Sequence, residues 1–212
     1  MLVAATRYFV RDDGKWIERL SAGGSEPEAT WVLLGPVLIL ALALQGCWCL
    51  HAGAVIRSGS GILFLGESGR GKSTLAARLT EACPQLTRLA DDVLPVAMHD
   101  KLRGLPPFPQ FKLMDSQQYT GFAPVGIDRI YVLRTGSVDK PATRALTASP
   151  AALALVQHTL GAGLFPENIM SKHLKFCSQV AQKERLFELG YPHTQASLAT
   201  VQDIVDRDSC QP

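Results

Sequence analysis

Charge is what this sequence has least of. Only 19% of its 212 residues are Asp, Glu, Lys or Arg, and 21 basic against 19 acidic residues leave a formal net charge of +2. There is no run of lysines or arginines. A surface that neutralises a phosphate backbone needs clustered cations, so nucleic acid is excluded as an expected partner. Cysteine is sparse and odd in number: Cys47, Cys49, Cys83, Cys177 and Cys210. The start shows no secretory n-region or cleavage site, so a disulfide framework is not expected and a reducing, cytoplasmic setting is. Cys47 and Cys49 have no second Cys or His pair at ligand spacing, and they read as buried thiols. An unbroken apolar segment long enough to cross a bilayer is also missing. WVLLGPVLILALALQGCWCL, residues 31–50, comes nearest. Gly35-Pro36 and Gln45-Gly46 interrupt it, and Pro36 suits the first turn of a helix. The expectation is a buried helix over residues 36–44, then a strand, and no membrane partner.

What is present is apolar sequence, 47% of the chain. That suits one α/β domain with a substantial core. Residues 1–28 read as a strand and hairpin region packed on the core, with Asp12-Asp13-Gly14 as the turn. Residues 29–205 read as the main domain, and residues 206–212 as a flexible tail. Within the main domain, residues 47–50 and 54–57 read as two short strands with His51 between them. Residues 62–65 form a continuous apolar run, as a central buried strand does. Helical pattern follows from residue 72 until Pro84, then a strand over 88–90. Residues 104–121 hold Pro106, Pro107 and Pro109 and few strand signals, a loop long enough to suspect function. Further on come a strand at 130–133, an edge strand at 141–146, helices at 150–160 and 166–182, a strand at 186–189 and a helix at 195–205.

One motif carries chemistry on its own. Gly66-Glu67-Ser68-Gly69-Arg70-Gly71-Lys72-Ser73 fits G-x-x-x-x-G-K-[ST] at every fixed position. Glycines let successive backbone N–H groups turn inward around phosphate oxygens. The loop opens a helix, whose unpaired N–H groups and dipole favour an anion. The expected nucleotide-binding residues are therefore Gly66, Glu67, Ser68, Gly69, Arg70, Gly71, Lys72, Ser73 and Thr74. Lys72 is expected to reach the β- and γ-phosphates of ATP, and Ser73 to place its hydroxyl on Mg²⁺.

Asp91-Asp92 follows at a distance that leaves room for one helix, one turn and one strand. That is a βαβ unit, whose two strands run parallel and end on the same edge of the sheet. The aspartates are thus expected beside the phosphate loop. One carboxylate there can serve Mg²⁺ and the other can accept the proton of an attacking hydroxyl. Ser73 and Asp92 are the expected metal-side residues, and the division of labour between the two aspartates stays open. His51, at a strand end, reads on its own as a structural residue.

Taken together, LHAGAV around His51, GESGRGKST and LADDVLPV resemble the catalytic domain of HPr kinase/phosphorylase, a member of the phosphoenolpyruvate carboxykinase-like nucleotide-binding folds. The resemblance covers about residues 33–95. It implies a mixed sheet with flanking helices and a Mg²⁺-dependent kinase that phosphorylates serine. By motif, residues 66–73 would hold ATP, and His51, Asp91 and Asp92 would line the reaction centre. The Glu-x-Arg-Gly segment of the bifunctional enzymes has no counterpart, because Lys101 stands in the acidic position before Arg103-Gly104-Leu105. The chain resembles more closely the short HPr-kinase-like proteins of bacteria, some of which phosphorylate lasso-peptide precursors. A small protein or peptide bearing an acceptor serine is the partner so implied, and homo-oligomerisation is a further family implication. GLPPFPQFKL, residues 104–113, would then be a lid or substrate loop, with Lys112 a surface lysine or a phosphate contact.

Two rival readings remain at this level. A small-molecule kinase would share the fold plan, yet Arg129, Arg134 and Arg144 lie scattered rather than forming an arginine-rich lid. A non-catalytic nucleotide-binding module would bind without transfer.

Overall fold

The computed structural model describes residues 6–21, 25–105, 121, 123–134, 138–192 and 194–209. Strands β1 (Arg7–Val10) and β2 (Ile17–Ser21) pair antiparallel, with Val10 opposite Ile17. Gly14 turns the hairpin at φ +69°, where a Cβ would sit 2.2 Å from the Ala41 carbonyl oxygen. The turn is thus also a contact with the helix that follows.

That helix corrects the sequence expectation. It begins at Glu26, not Pro36. The Ser25 hydroxyl accepts the Glu28 N–H and the Glu28 carboxylate accepts the Ser25 N–H, a reciprocal cap. α1 (Glu26–Val32) passes through a π-helical turn (Leu33–Val37) into α2 (Leu38–Leu44). Pro36 has no N–H to give, and the wider turn, kinked at Gly35, accommodates the missing bond without ending the helix. Nor is the run buried as expected. Ala29, Ala41 and Ala43 are its buried residues, while Trp31 is 59% exposed. Glu26–Leu44, with 19 residues and mean hydropathy 1.8, is long and apolar enough to cross a membrane by length and composition.

Next come β3 (Trp48–Arg57), β4 (Ser60–Leu65), α3 (Lys72–Ala82), β5 (Leu86–Ala90), β6 (Val93–Met98) and β7 (Leu102–Gly104). They are followed by β8 (Val125–Leu133), β9 (Ala142–Ala145), α4 (Ala148–Gln157), α5 (Glu167–Lys183), β10 (Leu186–Gly190) and α6 (Gln195–Ser209). The two short strands expected around His51 are one strand, β3. Its neighbours explain the continuity. β4 pairs along Ala52–Arg57, β5 takes the other edge of Ala54–Arg57, and β6 pairs with Trp48–His51. β3 is also buried on both faces over nearly its whole length, so it reads as an almost unbroken apolar run.

The sheet is mixed. β4 is antiparallel to β3 and parallel to β8, and β10 is parallel to β8. β7 joins β6 to the start of β8, so β4, β3, β6, β7 and β8 form a ring of hydrogen-bonded strands. Alternation along the strands divides the interior. Ile62 and Phe64 face α3 and α6 with Leu75, Leu79 and Val201; Leu63 and Leu65 face α4 and α5 with Leu155, Ile169 and Phe176. The architecture is a mixed α/β fold with helices on both sides of the sheet.

α6 continues to Ser209, so the expected tail begins inside a helix. Of the suspected loop, Gly104 ends β7, and residues 106–120, with Lys112, lie outside the described residues. Cys47, Cys49, Cys83 and Cys177 are free and buried. Burial raises the thiol pKa of Cys47 and Cys177 to about 12, which keeps both protonated and inert.

Candidate functional site

The glycine-rich loop leaves β4 at Gly66 and enters α3 at Lys72. Gly69 and Gly71 hold φ of +79° and +82°, a conformation that side-chain-bearing residues rarely adopt, so both glycines are required by the turn. The Lys72 ammonium reaches back across the loop and donates to the Gly66 and Glu67 carbonyls at 2.8 and 3.0 Å. Lys72 is only 5% exposed. Its position ties the loop closed around the helix N-terminus, where oriented N–H groups attract an anion. Arg70 and Glu67 pair with each other at 3.3 Å on the exposed side of the loop. Ser68 lines a cavity described below, and Thr74 follows Ser73 in the first turn of α3.

β3 lies beneath this turn, and its sequence is fitted to it. A Cβ on Gly53 would come within 2.9 Å of the Lys72 carbonyl oxygen. The glycine in LHAGAV therefore has a steric reason: α3 starts directly against the strand.

β4 and β5 are both antiparallel to β3 and so run parallel to each other, with β3 between them. Both strands end on one edge, and the Ser73 hydroxyl donates to the Asp91 carbonyl at 3.0 Å. The two aspartates then diverge, because successive side chains at the end of a strand point to opposite faces. Asp91 turns inward, where its carboxylate meets the Arg88 guanidinium at 2.6 Å with side chains 6% and 10% exposed. Asp92 turns outward and meets the His51 ring at 3.2 Å, both side chains remaining partly exposed. The Ala52 N–H donates to the Asp92 carbonyl at 3.2 Å, which fixes His51 and Asp92 side by side. The structure thus brings His51, Asp92, Lys72 and Ser73 to one edge, and it commits the Asp91 side chain to a buried ion pair.

Next to the loop is a cavity of about 700 Å³. Its polar lining comes from His51, Glu67, Ser68, Arg134, His158 and Glu188, and Leu133, Leu146 and Ala154 supply apolar wall. The arginines that look scattered in sequence are not all so in space. Arg134 and Arg144 converge on Glu188 at 3.4 and 2.6 Å, while Arg129 lies at a separate, smaller cavity beside Asp128 and Lys183. Both converging arginines are partnered by a carboxylate.

His158 went unnoticed in the sequence, where nothing marks it beyond a place near a helix end. It caps α4, and its position depends on pairing between distant segments. The His51 N–H donates to the His158 carbonyl, and the Leu160 N–H to the Cys49 carbonyl, each at 2.8 Å. Leu50 and Thr159 form the bridge between them. The exit of α4 is thus laid along β3. Burial lowers the His158 pKa, the charges of Lys72 and His51 lower it further, and Glu67 opposes them. The ring stands in the field of Lys72.

Behind it, His173 is fully buried beside Trp48, with ring centroids 4.9 Å apart. The Thr159 hydroxyl donates to the Leu155 carbonyl at 2.8 Å, so at the 2.8 Å contact with His173 it accepts from Nε2–H. Among the described residues Nδ1 has no hydrogen-bond partner, and burial lowers the His173 pKa. The neutral ring pins Thr159 to α5 and so fixes the segment that carries His158.

No protein-family profile and no curated protein matches the chain. Among solved structures it is similar to the HPr(Ser) kinase/phosphatase of Coxiella burnetii, at 14% identity and a TM-score of 0.42, over 76% of this chain and 95% of that one.

Proposed function

We propose that this protein is an ATP- and Mg²⁺-dependent kinase that transfers the γ-phosphate to a serine on a small protein or peptide. The observation that supports it best is the gathering, at one sheet edge, of a lysine-tied glycine loop, the Ser73 hydroxyl and the outward Asp92–His51 pair. The loop N–H groups and Lys72 would hold the nucleotide phosphates. Ser73 is a hard oxygen donor suited to Mg²⁺, which when bound would offset charge on the phosphates.

Asp92 is the better placed of the two aspartates to accept the acceptor hydroxyl's proton, because its side chain is partly exposed while that of Asp91 is buried against Arg88. His51 orients it. As the new serine O–P bond forms and the bond to the leaving diphosphate breaks, that proton moves to the Asp92 carboxylate. Asp91 then serves the site through its backbone, which holds Ser73, and through the ion pair that anchors the strand end. With both aspartates open to either role in the sequence, this assignment rests on their opposite burial.

A small-molecule acceptor is the rival reading. The cavity beside the loop favours it, since about 700 Å³ lies within the usual range of ligand pockets. Against it, Arg134 and Arg144 are already held by Glu188. The deciding experiment incubates the protein with ATP and Mg²⁺ against serine-bearing peptides, lasso-peptide precursors among them, and against a panel of small hydroxyl metabolites. Mass spectrometry then reads an added phosphate. Phosphopeptide that is absent with Lys72→Ala supports the proposal. Rapid phosphorylation of a free metabolite with none of the peptides would replace it by the rival.

A further inference from the structure

We propose that His158 is a further catalytic residue of this site, donating a ring N–H to a non-bridging oxygen of the γ-phosphate that Lys72 holds. The inference rests on the kinase reading above and adds to it a residue that no motif contains.

Placement is the first reason. His158 and His51 are joined by a backbone hydrogen bond across the β3 edge and face the same cavity as Gly66, Glu67 and Ser68. Lys72 acts electrostatically on the ring, so the two side chains share one region of the site.

Rigidity is the second reason. An exposed histidine at a helix end ordinarily has many rotamers and a mobile backbone. Here the backbone on either side is bonded to β3, through His158 C=O and Leu160 N–H. Thr159 between them is held by the buried His173, whose ring packs against Trp48 and Phe165. These contacts converge on holding the backbone that carries one side chain beside the loop, which is the supporting shell a functional group needs.

The chemistry is the third reason. A ring kept neutral by burial and by neighbouring cations has one nitrogen carrying a proton, ready to donate without adding a full charge. The Gly66 and Glu67 carbonyls already take two of the three Lys72 N–H groups. A second donor to the transferring group would complement that lysine as charge shifts to the leaving oxygen.

The test needs no acceptor. Fluorescence or calorimetric titration with Mg-ATP and with Mg-ADP is carried out on the wild type and on His158→Phe, His158→Gln and Lys72→Ala, each first checked for its melting transition. A hydrogen bond to a charged phosphate oxygen is worth roughly tenfold or more in affinity. His158→Phe is expected to lose about that factor for ATP while its ADP affinity stays within about twofold. His158→Gln, which keeps a donor, is expected to recover part of the loss, and Lys72→Ala to weaken both nucleotides. If His158→Phe fails to fold, His158→Ala takes its place in the comparison. Equal ATP and ADP affinities to the wild type in the folded variant, or an equal loss of both, overturn the assignment while leaving the kinase reading intact. A wild type that binds neither nucleotide overturns both.

Discussion

Gly53→Ala tests the coupling between β3 and the phosphate loop. The new methyl carbon would lie 2.9 Å from the Lys72 carbonyl oxygen and 3.0 Å from its carbonyl carbon, against about 3.4 Å for ordinary contact. Both clashing atoms are backbone, so no rotamer change relieves them. α3 must move off the strand by about 0.5 Å, and overpacking of this kind costs about 1–3 kcal/mol. A chain of this size loses about 2–4 °C in melting temperature per kcal/mol, which gives a drop of about 2–12 °C. The displacement falls on the residue that ties the loop closed, so nucleotide affinity should fall roughly tenfold. Thermal melting followed by circular dichroism, and titration with a fluorescent ATP analogue in Mg²⁺, read the two effects separately. Gly126→Ala is the control: it too sits in a strand, but a Cβ there meets nothing within 4 Å. Gly53→Ala that melts and binds like the wild type would refute the steric account of the LHAGAV glycine.

Asp91→Asn should destabilise the fold by about 3–5 kcal/mol, because it strands the buried Arg88 guanidinium. Asp92→Asn, which disturbs a partly exposed pair, should stay within about 1 kcal/mol of wild type yet lose phosphotransfer. Urea denaturation and the peptide assay check both; equal stabilities would contradict the division between the aspartates. His173 has a folded-state pKa below that of the unfolded chain, so the unfolded state binds more protons as pH falls below about 6.5. Stability should therefore be full above that pH and decline beneath it, and His173→Gln should flatten part of the decline in denaturation midpoints measured at pH 7.5 and 5.5. Chelation with EDTA should stop phosphotransfer and excess Mg²⁺ restore it; undiminished transfer in metal-free buffer would contradict the metal-side role given to Ser73.

Legibility in the sequence followed the range of the forces involved. GESGRGKS is readable because left-handed turns at Gly69 and Gly71 are local requirements, and a short apolar run before it marks a central strand. The hairpin at Asp12-Asp13-Gly14 is local for the same reason. The helix start was misread where two local signals competed. Gly35-Pro36 is a familiar breaker, but the Ser25–Glu28 cap upstream had already nucleated the helix, and a π turn let it pass the proline. Burial was misjudged there too, since apolar composition does not say which face meets a partner.

By itself, the sequence determined that the chain carries a glycine-rich loop of the G-x-x-x-x-G-K-[ST] pattern, with a lysine and a hydroxyl at its end and two carboxylates one βαβ unit later. These follow from spacing and from backbone chemistry that neighbouring residues dictate. Only the tertiary structure decided which aspartate is open, which is spent on Arg88, and that His158 belongs beside His51. Those outcomes depend on where strands from distant parts of the chain pair. β3 takes β4, β5 and β6 along its edges, together with the exit of α4, and no local pattern in any one of those segments specifies the others.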